Sequence, residues 1–289
     1  MAVNVVEAKV KYRRPLNSQQ LAVLKLLYRF RFGTVEYIAE YLDKTNLKVV
    51  QKKLKILEDQ GYIAKRYDKT YKLQGKPAEY YLTPKGGRLL KSKTEDNDHI
   101  SEQGLKNLYK NPSVSADFIA HCLTILRVAL HLERMYGANL HSFARTELIP
   151  FDYFPTWKPD LYLSYKTTPK SKSNPFFLDI WDGTRPFFVS VRKARSYITY
   201  EDSGDWITDQ LEFPIILVVC DNKKNETKLR RQIRKAREEN YTDTKFATTT
   251  IDELLSAEYN KAKLWTTVTD YKEEDKTCTL TNLRKSLEQ

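Results

Sequence analysis

Four side chains between positions 160 and 193 have the types and spacing to do chemistry together: Asp160, Asp179, Asp182 and Lys193. Asp179 and Asp182 lie in FFLDIWDGTRPF, residues 176 to 187, where an apolar run is about to turn. A buried carboxylate is costly unless a cation or donor meets it, so these acids are either turn devices or parts of a charged site. Carboxylates on neighbouring strands can hold a divalent cation that activates water against a phosphodiester, and all-oxygen ligation suits Mg²⁺ or Mn²⁺. Such a site also wants a lysine for the developing charge. Trp181 occupies the place two residues after Asp179, so Lys193 on the next helix is the candidate replacement, and Glu147 is a candidate further ligand. The catalytic candidates are thus Asp160, Asp179 and Lys193, and the metal candidates Glu147, Asp160 and Asp179.

Each residue also has a plainer reading. Side chains alternate along a strand, so positions 179 and 182 face opposite ways unless the strand has ended, and Asp182 reads first as the cap of the Asp-Gly-Thr turn. Asp160 follows Pro159 and suits an Asx-type turn at strand entry. Lys193 and Tyr197, spaced i and i+4, read first as an ordinary helix-surface pair. Other chemistry finds no motif: no Gly-Lys-Ser/Thr phosphate loop, no Gly-x-Ser-x-Gly elbow and no dinucleotide glycine fingerprint. His99, His121, His131 and His141 lack metal spacing with the cysteines, and His121 and His131 read as polar groups satisfied on a packed helix. Cys122, Cys220 and Cys278 are scattered, which points away from a disulfide framework and towards a reduced, cytoplasmic setting.

The elements that must position these residues follow from periodicity. From SADFIAHCLTILRVALHLERMYG onward a long, nearly all-round apolar helix is followed by strand-like ANLHSFARTELI, KPDLYLSYK and NPFFLDIW. A helix in RPFFVSVRKARSYITYED, the buried strand FPIILVVCD, a charged helix ETKLRRQIRKAREENY and the short strand TKFATTTIDEL complete an α/β sandwich. Asp160 opens the second strand and Asp179 lies in the third, the layout of a PD-(D/E)XK nuclease-like fold.

The formal charge of +12 on 289 residues is gathered at one end. Residues 1–90 hold 19 Lys and Arg against 8 Asp and Glu, net +11, leaving net +1 for the rest. A concentrated positive lobe points to a polyanion, with nucleic acid ahead of an anionic membrane surface. The longest clean apolar run, FPIILVVC at 213–220, is too short to span a bilayer, and 41% apolar residues are enough for packed cores.

After the basic lead, NSQQLAVLKLLYRF, TVEYIAEYL and NLKVVQKKLKILEDQ read as three helices, and IAKRYDKTYKLQGKPAEYYLT as two strands joined by a basic loop. That is the order of a winged helix-turn-helix, in which a helix enters the major groove and the hairpin lies along the adjacent backbone. The candidate DNA contacts are Lys44, Asn46, Lys48, Gln51, Lys52 and Lys55 on the third helix and its turn, and Lys65, Arg66, Lys69, Lys72 and Lys76 on the wing. A second basic surface is expected from Arg230, Arg231, Arg234, Lys235 and Arg237. The expected division is 1–92 winged helix, 93–113 linker, 114–275 nuclease-like domain and 276–289 tail.

Gln20, Val23, Leu24 and Leu27 in helix one, YYLTPKG closing the wing, His121, Pro159-Asp160, and FFLDIWDGT followed by Lys193 and Tyr197 together resemble the plasmid replication-relaxation family over about residues 17 to 250. The family pattern Glu-x-Asp-x-Gly-Thr is altered here, with Trp181 at the second acid and Asp182 displaced by one. The resemblance implies a role in replication initiation, relaxation or transfer of a plasmid or mobile element, with a relaxase or replication initiator as partner. Three readings compete. The first is a DNA-binding protein acting on double-stranded DNA, with a non-catalytic second domain and no required cofactor. The second is a Mg- or Mn-dependent endonuclease or nickase, and the third a transcriptional regulator whose second domain forms a homodimer.

Overall fold

The computed structural model describes residues 15–93, 99–168, 170–206, 212–270 and 274–287; the basic lead at 1–14 and the last two residues of the expected tail lie outside them. Helix α1 (Ser18–Phe30) starts at Asn17, whose Oδ1 accepts from the Gln20 amide at 2.9 Å while the Gln20 side chain accepts from the Asn17 amide at 3.0 Å. This reciprocal capping box satisfies donors that a helix start leaves open. A two-residue strand β1 (Phe32–Gly33) leads to α2 (Val35–Tyr41), capped by Thr34, and α3 (Leu47–Asp59), capped by Asn46. Gly61, at φ 73°, releases the chain from α3 into β2 (Ile63–Arg66). The basic loop then folds into α4 (Lys69–Leu73), with Asp68 accepting from the Thr70 and Tyr71 amides, before β3 (Glu79–Leu82) returns antiparallel to β2. The three strands order β1-β3-β2. The helices and hairpin thus follow the expected order, while β1 is too short for any sequence period to mark.

Helices α5 (Pro84–Lys93) and α6 (Glu102–Asn107) and a 3₁₀ turn at Leu108–Ser113 carry the chain onward. The stretch expected as a linker buries Leu105, Leu108 and Asn111. The long α7 (Ala116–Tyr136) precedes β4 (Leu140–Ala144), β5 (Leu161–Tyr165), β6 (Asn174–Trp181) and α8 (Phe187–Asp202). Then come β7 (Ile215–Cys220), α9 (Lys223–Asn240), β8 (Phe246–Thr250), α10 (Ile251–Ser256), β9 (Trp265–Thr267), β10 (Thr277–Cys278) and α11 (Leu283–Leu287). The segment expected as a tail supplies an edge strand and buries Leu280 and Leu283.

The seven strands order β10-β9-β8-β7-β6-β5-β4, making this a mixed α/β protein. Strands β6, β7 and β8 run parallel, and antiparallel pairs flank them on both sides. Parallel strands need crossovers and are covered on both faces, which is why NPFFLDIW and IILVVC read as continuous apolar runs. Alternate residues of β6 and β7 go to opposite faces. Leu178, Ile180, Leu217 and Val219 pack with α7 residues such as Leu126 and Ala129, whereas Phe177 and Val218 pack with Ala194 and Ile198 of α8 and Ile233 of α9.

The first of these cores continues into α1, taking in Leu24 and Leu27, so the two lobes share apolar packing. Polar ties reinforce it. Arg29 meets Glu147 at 3.0 Å, Glu133 at 3.2 Å and the Ser142 carbonyl at 2.9 Å, and Arg66 donates to the Val114 carbonyl at 2.6 Å. Among the described residues no helix is long and apolar enough to cross a membrane.

Candidate functional site

Strands β5 and β6 bring the two central acids together. The Asp160 amide donates to Asp179 Oδ1 at 3.0 Å, and Asp160 Oδ2 accepts from the Ile180 amide at 2.9 Å, so each carboxylate caps the other strand's backbone. Asp179 shares the Phe177 face of β6, beneath α8. Lys193 donates its ammonium to Asp179 Oδ1 and, at 3.2 Å, to the Lys158 carbonyl, while the Tyr197 hydroxyl donates to Asp179 Oδ2 at 2.7 Å. From the 3₁₀ turn after β4, Arg145 Nη2 meets Asp160 Oδ1 at 2.6 Å. His121 of α7 closes the cluster, with Nδ1 2.9 Å from Asp182 Oδ2 and Nε2 3.5 Å from Asp160 Oδ1. Asp182 Oδ1 accepts from the amide and hydroxyl of Thr184 at 3.2 and 2.7 Å, closing the turn at Gly183.

Two plainer readings are corrected by this geometry. Lys193 and Tyr197 are not a helix-surface pair; they are 6% and 1% exposed, because α8 lays its Ser190, Lys193, Ala194 and Tyr197 face onto β6. Asp160 makes no Asx turn; its side chain reaches across to β6. Asp182 does cap its turn, and also holds His121. That histidine, expected as a polar group satisfied on a packed helix, finds its partners in the charged cluster. Glu147 is not brought to the cluster: it lies in the 3₁₀ turn at Arg145–Leu148, where it pairs with Arg29 and accepts from the Ala144 amide at 2.8 Å. Arg145 was missed, since a lone arginine carries no pattern; the only signal is that two buried acids demand two cations.

The cluster's electrostatics follow from burial set against charge. Burial raises the carboxyl of Asp160, but Arg145, Lys193 and His121 outweigh it and hold the group far below the usual carboxylate range. Burial likewise pulls the Lys193 ammonium below its ordinary value, with Asp179 opposing. His121 is lowered by burial yet lifted to about 9 by Asp160 and Asp182. At 3.5 Å its Nε2 is too far from Asp160 for a good hydrogen bond, so that carboxylate acts through charge and Asp182 through contact.

This donor set does not fit a divalent cation. Both oxygens of Asp160 and both of Asp179 already receive protein donors, two of them cationic, and a metal would have to displace the ammonium and guanidinium groups. Among the described residues no group of three or more His, Cys, Asp or Glu is placed to hold a metal ion.

On the first lobe, Val50, Leu54 and Leu57 of α3 are buried, and Lys48, Gln51, Lys52 and Lys55 lie on the exposed face with Val49 and Ile56 beside them. Lys44, Lys48, Lys52, Lys69 and Lys76 are exposed and form no ion pair among the described residues. Lys55 pairs with Asp59 at 2.7 Å, Lys65 with Glu58 at 3.1 Å, and Lys72 lies 5.9 Å above the Tyr67 ring. The Asn46 side chain is used as the α3 cap, and Arg66 is taken up by Val114.

Of the expected second basic surface, Arg230 and Arg234 turn inward to Asp275, and Arg237 is buried against the Val268 carbonyl, Asp243 and Asp270. Only Arg231 and Lys235 of that set are exposed. The acids and carbonyls that absorb the other three come from the connection between β9 and β10 (Val268, Thr269, Asp270 and Asp275) and, for Arg237, also from Asp243 before β8.

A family model described as replication-relaxation matches residues 24–214, a span running from α1 to just before β7 that takes in the β2–β3 hairpin and the whole charged cluster. No curated protein and no solved structure matches the chain.

Proposed function

The chain belongs to the replication-relaxation family, and from that premise we propose that it is a double-stranded DNA-binding protein acting in replication initiation, relaxation or transfer of a plasmid or mobile element. Family membership itself supports the broader role in replication or relaxation. The observation that carries the DNA reading is the row of exposed cations on α3, followed by those of α4 and the hairpin, on the lobe that holds nearly all the net charge. Lysines contact phosphate more than base edges, so this face supplies affinity, and sequence choice falls to groups such as Gln51. A relaxase or replication initiator is the proposed partner at the origin.

The second domain is proposed to be non-catalytic. Asp160, Asp179 and Lys193 do converge as a nuclease would require, but the lysine and Arg145 neutralise the carboxylates that a metal needs. Fluorescence anisotropy with duplex oligonucleotides tests the binding: the full chain should bind with strong salt dependence, and Lys48→Ala with Lys52→Ala should weaken it. Incubation of supercoiled plasmid with Mg²⁺ or Mn²⁺ tests the second point. No nicking is expected; nicking lost in Asp160→Ala would overturn it in favour of an endonuclease.

A further inference from the structure

Beside the buried cluster runs an open groove of about 590 Å³, walled by Arg145, Trp157, Lys158, Arg185 and Lys193, with no carboxylate in its lining. Five separate segments converge on it: α6, the turn after β4, the loop before β5, the turn after β6, and α8. Behind the wall, Asp160, Asp179 and Asp182 face Arg145, Lys193 and His121, three acids to three cations with His121 protonated at neutral pH. Arg185 and Lys158 lie outside that balance, and neither forms an ion pair with a carboxylate among the described residues; the Lys158 ammonium donates to the Phe151 carbonyl at 3.0 Å and Asp152 acts on it through charge alone. Trp157 is 41% exposed, and its ring stacks on no other aromatic ring among them.

Cations beside a bare aromatic plane suit a phosphodiester next to an unstacked base, whereas a duplex keeps its bases stacked on one another. We infer that this groove binds a single DNA strand, with a phosphate between Arg185, Lys158 and Arg145 and a base stacked on Trp157. The inference extends the DNA-binding reading to a second surface, remote in sequence from α3. A protein with two such surfaces holds a duplex through one lobe and a melted strand through the other.

The test uses the full chain and two labelled probes, a duplex and an oligothymidylate of about ten nucleotides, within the roughly 4–16 typical of single-strand sites. Trp157→Ala and Arg185→Ala should each weaken single-strand binding about tenfold while duplex affinity stays at the wild-type level. Trp157→Phe should keep most of the affinity, because it keeps a stacking face. Unchanged single-strand binding in both alanine variants overturns the inference, as does a wild type that binds duplex but no single strand. Displacement of the oligonucleotide by thymidine monophosphate at matching nucleotide concentration overturns the strand assignment in favour of a free nucleotide. Failure of the wild type to bind duplex refutes the function proposed above instead, so the two failures are distinguishable.

Discussion

Lys193→Met tests whether the charged cluster is held together by the protein's own cations. In the wild type Lys193 and Asp179 are 6% and 1% exposed. Removing the ammonium leaves Asp179 with two neutral donors, Tyr197 and the Asp160 amide, and with the charge of Asp160 next to it. Breaking a buried ion pair from one side costs about 3–5 kcal/mol, whereas removing both charges costs far less. The expected loss for Lys193→Met is therefore about 3 kcal/mol. Adding Asp179→Asn, which removes the stranded charge and keeps an acceptor, should bring the loss below about 1.5 kcal/mol. In melting temperature the single variant should fall by about 6 °C, at roughly 2 °C per kcal/mol for a chain of this size. Urea unfolding followed by far-UV circular dichroism and by tryptophan fluorescence measures both variants; coincident curves establish that the transition is cooperative. Two results refute the reasoning. One is a single variant within about 1 kcal/mol of wild type, well short of the 3–5 kcal/mol for a broken buried pair. The other is a single variant restored by millimolar Mn²⁺ that leaves the wild type unmoved, since that would show a site made for a metal.

His121 has a folded-state pKa near 9, above its unfolded value of about 6.5, so its contribution is complete below about pH 6.5 and is lost as pH rises through 9. Unfolding free energy should fall by up to about 3 kcal/mol across that window, and His121→Asn should flatten the profile. Asp160, held far below the usual carboxylate range, has the opposite sign: its contribution is present above that range and persists well into acid. Arg29→Ala strands Glu133 and Glu147 at the junction of the lobes and should cost about 2–3 kcal/mol in urea unfolding, less than a fully buried pair because the partners are partly wet. Gly86→Ala places a methyl carbon 2.1 Å from the Tyr62 carbonyl oxygen and should destabilise by roughly 1–3 kcal/mol in the same assay. Duplex affinity should fall with log salt, and each of Lys48→Ala and Lys52→Ala should reduce the slope by about 0.9.

Local regularities in the sequence were enough for much of this protein. Helical spacing placed α3 and turned its lysines outward, though of its apolar stripe Leu47, Val50, Leu54 and Leu57 the first is exposed, and the unbroken apolar runs of β6 and β7 announced buried strands. Those signals are read within one element, where spacing alone decides which face a side chain takes. The pairing of Asp160 and Asp179 was legible too, because both lie on strands that the order of elements makes neighbours. What surrounds them was not. Lys193 and Tyr197 look alike on a solvated or a buried helix face, and only the docking of α8 on β6 put them on Asp179. Arg145 comes from the turn after β4 and His121 from α7, Glu147 was drawn away by Arg29 of a different lobe, and the connection between β9 and β10, with Asp243, turned three arginines of α9 inward. Long polar side chains reach partners far off in the chain, and their choice depends on which charges burial leaves in need; that is settled by packing, which no local period encodes.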